Sequence, residues 1–367
     1  MASSATRSLS WQRIGVLLLP AGLALQFAAS WVPDLVERAF SRSLYPRFGG
    51  ALGCLTATLP FSLAEVLVAS AIAWLGWSGA RSLRRLLRRE AQPRATLVRA
   101  WTIAGAAYGF FLLVWGLNYQ RQPFAVSAGW NAAPPRTEEL AALAEELVDE
   151  TDRLRDGLAE DEAGVVRLPD ARIATLARVD EGFAEAARLH PFLSGGRVIR
   201  CARPKPVLAS TILSWLGISG LYFPFTGEPN VNTTLPDPEL PFAAAHEVAH
   251  LRGFAREDEA SFVGVLACRL HPDQTFRYSG TFVASLHALA ALRMADRAAA
   301  KRIAATRSAA VTRDVEALRA WSARYRGPAQ KLAEGVNDAY LRSQGQRDGV
   351  RSYGRLVDLL VAERRAR

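Results

Sequence analysis

Residues 242–262 read FAAAHEVAHLRGFAREDEASF. The 367-residue chain holds five histidines, yet two stand four apart here, with a glutamate between them and an acidic cluster just downstream. On an α-helix, residues four apart lie about 40° from each other around the axis, so His246 and His250 project side by side from one face. Two imidazoles placed so can grip one ion. Glu247 sits about 100° round, within reach of a water on that ion without being a ligand itself. A catalytic zinc usually takes three protein ligands and keeps one open position, so a third ligand has to come from elsewhere.

Gly253 is the type of residue that ends a helix and turns the chain back. Behind it stand Glu257, Asp258 and Glu259. A new helix beginning near Arg256 puts Glu257 and Ser261 on one face, with Glu257 as the third ligand and Ser261 as its support; Glu259 is the alternative ligand. A bare HExxH occurs often by chance, and an ordinary amphipathic helix is the competing reading. The following glycine, the acids within its reach and the small apolar residues FAAA and VA, which suit a buried helix, favour a site for Zn²⁺ that does chemistry.

Upstream, Val198 to Val231 is rich in β-branched and aromatic residues punctuated by Gly and Pro, which predicts two or three short strands. An extended edge there can pair with a peptide by strand addition. The rest of the C-terminal part reads as helix: TEELAALAEELVDETDRLR from a cap at Thr137, then about 170–189, 280–305 and 310–325. In FRYSG (276–280), Arg277 and Tyr278 are candidate donors to a developing oxyanion, against the plainer reading of a surface turn. His190 and His271, each before a proline, read as helix-end residues, and His287 as a core histidine.

Half of the residues are hydrophobic although 45 Lys+Arg face 35 Asp+Glu, a mixture expected of membrane segments joined to a water-soluble part. The net charge of +10 does not form a basic face interleaved with aromatics, so no nucleic-acid partner is read. Three apolar segments, about 14–32, 51–77 and 100–117, match the length of a membrane span. The first is longer than the core of a cleaved signal sequence. Arg81, Arg84, Arg85, Arg88, Arg89, Arg94 and Arg99 hold the loop between the second and third in the cytoplasm, which leaves everything after Leu117 on the opposite side. Glu65 falls mid-span in this reading, as a carboxyl paired against a neighbouring helix. No second intramembrane charge makes a relay, which argues against a transporter. The three cysteines form no disulfide framework, with a Cys201–Cys268 pairing left open.

GISGLYFPFTGEPNVN, LPFAAAHEVAHLRGFAREDEASF, FRYSG and VNDAYLRSQGQRDGVRSYGRLVDLLVA, in that order, resemble the bacterial membrane family known as domain of unknown function 3810, and the likeness runs through nearly the whole chain. That family looks like a branch of the zincin metallopeptidases. The resemblance implies His246 and His250 as ligands, Glu247 as catalytic carboxylate and the EDEAS segment as source of the third ligand. More distant zincins put that ligand on the first glutamate, here Glu257, and carry Asn or Asp where this chain has Ser261.

The expected architecture is a mainly α domain with a small β-sheet, α+β and zincin-like, on a bundle of three membrane helices. Residues 1–117 are the anchor, 118–136 a linker and 137–367 the extracytoplasmic domain. The expected function is a multi-pass, membrane-anchored zinc hydrolase, a metallopeptidase whose partners are the lipid bilayer and a peptide or protein substrate in the envelope. The alternative is a non-catalytic envelope scaffold or binding protein that keeps the fold.

Overall fold

The structure, a computed structural model, describes residues 2–89, 92–194, 203–346, 348–349 and 354–367, without the side chains of 2–14 and 194. The uncharged run from Ile14 lies in α1 (Ala2–Ser30). Pro33 then starts a new direction through α2 (Pro33–Leu35), a π-helical stretch (Val36–Leu44) and α3 (Tyr45–Ala57). The bend between Gly15–Ser30 and Pro33–Ala57 is 96°. α4 (Leu63–Leu87) and α5 (Pro93–Val114) are each long and apolar enough to cross a membrane, and α1 with its bent continuation is a third candidate.

Small residues set how α1 meets α5. Gly15 packs on Thr102, Leu19 on Gly105 and Gly22 on Tyr108, so the two helices run parallel; a Cβ at Gly105 would come within 2.7 Å of Leu19 N. Such close approach is how helices associate where there is no hydrophobic effect to drive them. Trp101 Nε1 also donates to Val16 O at 3.0 Å. The N-terminal ends of α1 and α5 therefore share a side with the arginines that close α4.

The span expected at 51–77 is corrected. The chain breaks at 58–62, around Pro60, and residues before the break belong to α3, where Gly53 packs on Gly227 and Leu251. Glu65 is thus in the first turn of α4 rather than mid-span, where it accepts the N–H groups of Leu208 at 3.0 Å and Ala209 at 2.8 Å. The N–H groups of Leu63 and Ala64, which no helical carbonyl can accept, donate to Glu228 at 3.1 and 2.7 Å. The third span also begins earlier than expected, at Pro93, whose missing N–H costs nothing at a helix start.

Within the linker expected at 118–136, the first part, up to Ala125, contributes to the core, while 131–134 and Arg136 are exposed. Gly116–Gln120 forms a tight 3₁₀ turn and α6 (Phe124–Ala128) follows, with Asn118, Arg121 and Phe124 buried. The Phe124 ring packs among Phe192, Phe254 and Phe262. Tyr45, Trp115 and Tyr119 share that core with residues of the HEVAH helix, so position 117 does not divide the molecule.

α7 (Thr137–Arg155) starts one residue earlier than a Thr137 cap would have it: Arg136 is the capping position, and its N–H is held by Glu139 at 2.9 Å. The single helix expected at 170–189 is two, α8 (Arg172–Arg178) and α9 (Asp180–Leu189). The strands are β1 (Lys205–Pro206), β2 (Gly220–Phe223) and β3 (Glu228–Val231), with α10 (Ser210–Trp215) between the first two. They form one sheet in the order β1-β3-β2, β1 parallel to β3 and β2 antiparallel from Gly220↔Val231 to Phe223↔Glu228. Then come α11 (Leu240–Leu251), α12 (Glu257–Arg269), α13 (Gln274–Ala295), α14 (Arg297–Ala304), α15 (Ala309–Tyr325), α16 (Pro328–Ser343) and α17 (Leu356–Ala366). α11 is the centre of the core, lying against β2 and β3 on one side and α12 and α13 on the other. Cys268 is a free, buried thiol, so a Cys201–Cys268 bridge does not form; Cys201 itself lies outside the described residues. Cys54 is disulfide-bonded.

Candidate metal centre

α11 is apolar nearly all round, LPFAAAHEVAHL, and is accordingly buried on almost every face. His246 and His250 leave it side by side, with ring centroids 4.7 Å apart and planes at 88°. The helix stops because Gly253 takes φ +88°, a left-handed conformation in which a Cβ would also press on Tyr45 and Asn118. The turn is closed by Gly253 N–H to His250 O at 2.8 Å and Phe254 N–H to Ala249 O at 3.1 Å. It brings Phe254 O against His250 Nδ1 at 2.7 Å. A carbonyl can only accept, so Nδ1 carries a proton, and in the neutral imidazole it is Nε2 that has the lone pair.

Arg256, with extended backbone, caps α12, and Glu257 is its first residue. Glu257 and Ser261, one turn apart, both face α11. Ser261 Oγ meets His246 Nδ1 at 3.2 Å, while Glu257 Oε2 lies 3.2 Å from His246 Nε2 and 3.4 Å from His250 Nε2. One ligand atom from each of His246, His250 and Glu257 falls within 4.8 Å of the others. Although it is that close to both nitrogens, Glu257 Oε2 accepts no well-aligned hydrogen bond. One potential ligand atom from each residue thus converges on one buried point, with both far ring nitrogens already engaged. That donor set, two imidazoles and a carboxylate with supported rings, fits Zn²⁺.

Electrostatics agree with close coupling. Burial would raise the Glu257 carboxyl, but His250 and His246 outweigh it and hold it well below the usual carboxylate range. Burial would lower His250, but Glu257 outweighs it and lifts the imidazole to about 9. Glu247 moves the other way: burial raises it, and the two histidines only partly offset the rise. Its Oε2 is buried without a partner, while the backbone N–H of Tyr222 donates to the carboxylate. Gly220 makes room for it, since a Cβ there would lie 2.5 Å from Glu247 Oε1.

Glu259, the alternative ligand, does not join the cluster. Its Oε1 accepts Phe124 N–H and Arg256 Nη1, each at 2.8 Å, on the opposite side of α12. FRYSG is no surface turn but lies in α13. Tyr278 is buried and donates to Asp314, and Arg277 donates to the carbonyls of His271 and Pro272 at 3.0 and 2.6 Å, so both candidate oxyanion donors are engaged within the fold. His271 is structural, stacked on Phe276 with its ring nitrogens bonded to Arg178 O and Asp273 N–H.

Sequence reasoning missed three neighbours of the cluster. Trp115 sets its ring edge-on to His250 at 6.1 Å. Tyr340, in the VNDAYLRSQG stretch, pairs its hydroxyl with that of Tyr119 at 3.1 Å. Burial and the Glu257 charge hold that hydroxyl up at about 12. His287, read as a core histidine, is lowered by burial and by its neighbour His246. The signal available for Tyr340 was its place in the fourth stretch that carries the family resemblance; for Trp115 and His287 there was none, because both reach the site from parts of the chain distant in sequence.

No curated protein and no solved structure matches the chain. The family model described as "Protein of unknown function (DUF3810)" matches residues 40–361, a range that takes in every residue of the cluster and all that surrounds it. The chain therefore belongs to the DUF3810 family.

Proposed function

We propose that the protein is a membrane-anchored zinc-dependent hydrolase, a metallopeptidase of zincin type working on the extracytoplasmic side. The observation that carries this reading is the convergence of His246, His250 and Glu257 on one buried point, with a ligand atom of each within 4.8 Å of the others, and the Glu247 Oε2 buried without a hydrogen-bond partner. A burial penalty of several kcal/mol per charge is tolerated where a ligand offsets it. His246, His250 and Glu257 would hold the ion. When bound, zinc acidifies a water and polarises an amide carbonyl.

The chain's own residues supply the rest. Glu247, raised by burial and fixed through one oxygen by Tyr222 N–H, is the group to accept the proton from the attacking water and pass it to the leaving amine. The N–H that holds Glu247 belongs to β2, an edge strand of the sheet, which suits an extended peptide laid alongside it. The arginine-rich end of α4 and the parallel course of α1 and α5 favour an extracytoplasmic domain by the positive-inside rule. The disulfide at Cys54 is in keeping with an oxidising compartment.

The test is metal analysis and turnover of the full-length protein in nanodiscs, with a degenerate fluorogenic peptide mixture. Wild type and Glu247→Gln should each carry about one zinc per chain, and His250→Ala none. Glu247→Gln should lose about 10²–10⁴-fold in rate. Zinc-free wild type, or a Glu247→Gln variant that cuts as fast as wild type, ends the proposal.

A further inference from the structure

One corner of the fold, the segment from Lys205 to Glu228, is bonded to the start of α4 and packs on α5, the two helices long and apolar enough to cross a membrane. Lys205 Nζ donates to the carbonyls of Thr56, Leu59 and Phe61 at 2.6, 2.8 and 2.8 Å, gripping the break before α4. Glu65 and Glu228 tie the first turn of α4 to 208–209 and to β3. Phe225, in the β2–β3 turn, stacks on Phe110 of α5 with centroids 5.6 Å apart. What this corner presents to its surroundings is apolar: Leu208 is 91% exposed, Ile212 61%, Trp215 46%, Leu221 47% and Phe225 37%. In water such a grouping is costly. Aliphatic side chains with a tryptophan beside the end of a span have the composition of an interfacial anchor.

The same corner carries part of the metal centre. Leu221 stands on β2 between Gly220, which makes room for Glu247, and Tyr222, whose N–H holds it. We propose that α10, β2 and the β2–β3 turn rest in the interface of the bilayer that α4 and α5 cross, on the domain's side. The metal centre then takes polypeptides tethered to that membrane rather than free peptides. The docking surface stands on exposure and on continuity with the spans; the substrate class rests on the hydrolase reading above.

Nitroxide labels at Leu208→Cys and Ile212→Cys, in nanodiscs, test the surface, with Met294→Cys on α13 as control and the parent chain labelled in parallel as blank. Collisions with oxygen should exceed those with a water-soluble nickel chelate at 208 and 212, and the order should reverse at 294. Nickel-favoured collisions at both test positions overturn the docking surface. The substrate class is tested by cutting of the degenerate fluorogenic peptide mixture carrying an N-terminal palmitoyl chain in liposomes against the same mixture acetylated. Wild type should cut the lipidated form at least tenfold faster, and Leu208→Glu/Ile212→Glu should lose that advantage while cutting the acetylated form as before. Equal rates on both forms overturn the substrate class. Labels in lipid with neither mixture cut would support the surface and remove the peptidase reading instead.

Discussion

Asp314 and Glu257 are both buried carboxylates in one core, and their oxygens keep opposite company. Asp314 accepts from Arg155 Nε at 2.7 Å, from Val166 N–H at 2.8 Å and from the Tyr278 hydroxyl, so its charge is matched by a guanidinium and its lone pairs are filled. Glu37 is treated alike, with Arg121 bonded to both of its oxygens at 2.7 and 2.8 Å. Glu257 instead has one oxygen aimed at two imidazole nitrogens and accepting no aligned donor, with the partnerless Glu247 oxygen nearby. Since an uncompensated buried charge costs several kcal/mol, the first pattern is what a fold does for itself. The second is what a site does for a ligand. Both charges sit in the same protein, which makes the difference measurable within one molecule.

The largest effect should come from breaking the satisfied cluster. Asp314→Ala leaves Arg155 buried beside a partner it no longer has, along with an unpaired N–H and phenol, and should cost about 3–5 kcal/mol of stability. Its thermal midpoint should fall by roughly 6–20 °C. Zinc per folded chain should stay at the wild-type value. Glu257→Gln should do the reverse, removing zinc while moving the midpoint of the metal-stripped protein by less than Asp314→Ala does. Calorimetry of both variants, stripped and loaded, decides; equal losses in the stripped state would mean that Glu257 is a structural acid after all.

A smaller effect sharpens the other half of the comparison. Ser261 Oγ meets His246 Nδ1 at 3.2 Å, and its substitution by Ala removes only that hydroxyl. Ser261→Ala should therefore weaken zinc about 10–100-fold, as loss of an orienting partner does, and change stability by under about 1 kcal/mol. Competition against a chelator of known affinity gives the number. An unchanged affinity would show that His246 is oriented by packing alone.

How much of this was legible follows from the range of the deciding contacts. The two histidines, the Gly253 turn, the cap at Arg256 and the pairing of Glu257 with Ser261 are all consequences of helical geometry within 16 residues, from His246 to Ser261, and spacing predicts them. The choice between Glu257 and Glu259 was not legible, because it is made by Phe124 N–H, 135 residues away in a stretch whose Gly, Pro and Asn content reads as linker. The position of the second span failed for the same reason. A hydropathy window sees only apolar length, whereas α4 starts where Glu228 and Glu65 meet partners more than 140 residues away. FRYSG read as a turn because its polar letters are turn formers; in α13 those letters serve Asp314 and two carbonyls instead.

The smallest effect concerns the proton that competes with the metal. In the metal-stripped protein, His250 is raised from 6.5 to about 9 by Glu257, so its contribution to stability is complete below 6.5 and is lost as pH rises through about 9. Glu257 is depressed from 4.5, so its contribution is present above 4.5 and is lost as pH falls through its lowered value. The stripped protein should therefore be most stable, as far as this pair is concerned, between 4.5 and 6.5. Zinc requires the neutral imidazole, so binding between pH 7 and 9 displaces that proton and the apparent affinity should rise about tenfold per pH unit. Asp314 offers the contrast, since its partner is a guanidinium that does not titrate in this range: the stability lost in Asp314→Ala should be the same at pH 6 as at pH 9. A zinc affinity that is flat over that range would mean the proton is not held between Glu257 and His250, and that the cluster is organised without the charge its geometry implies.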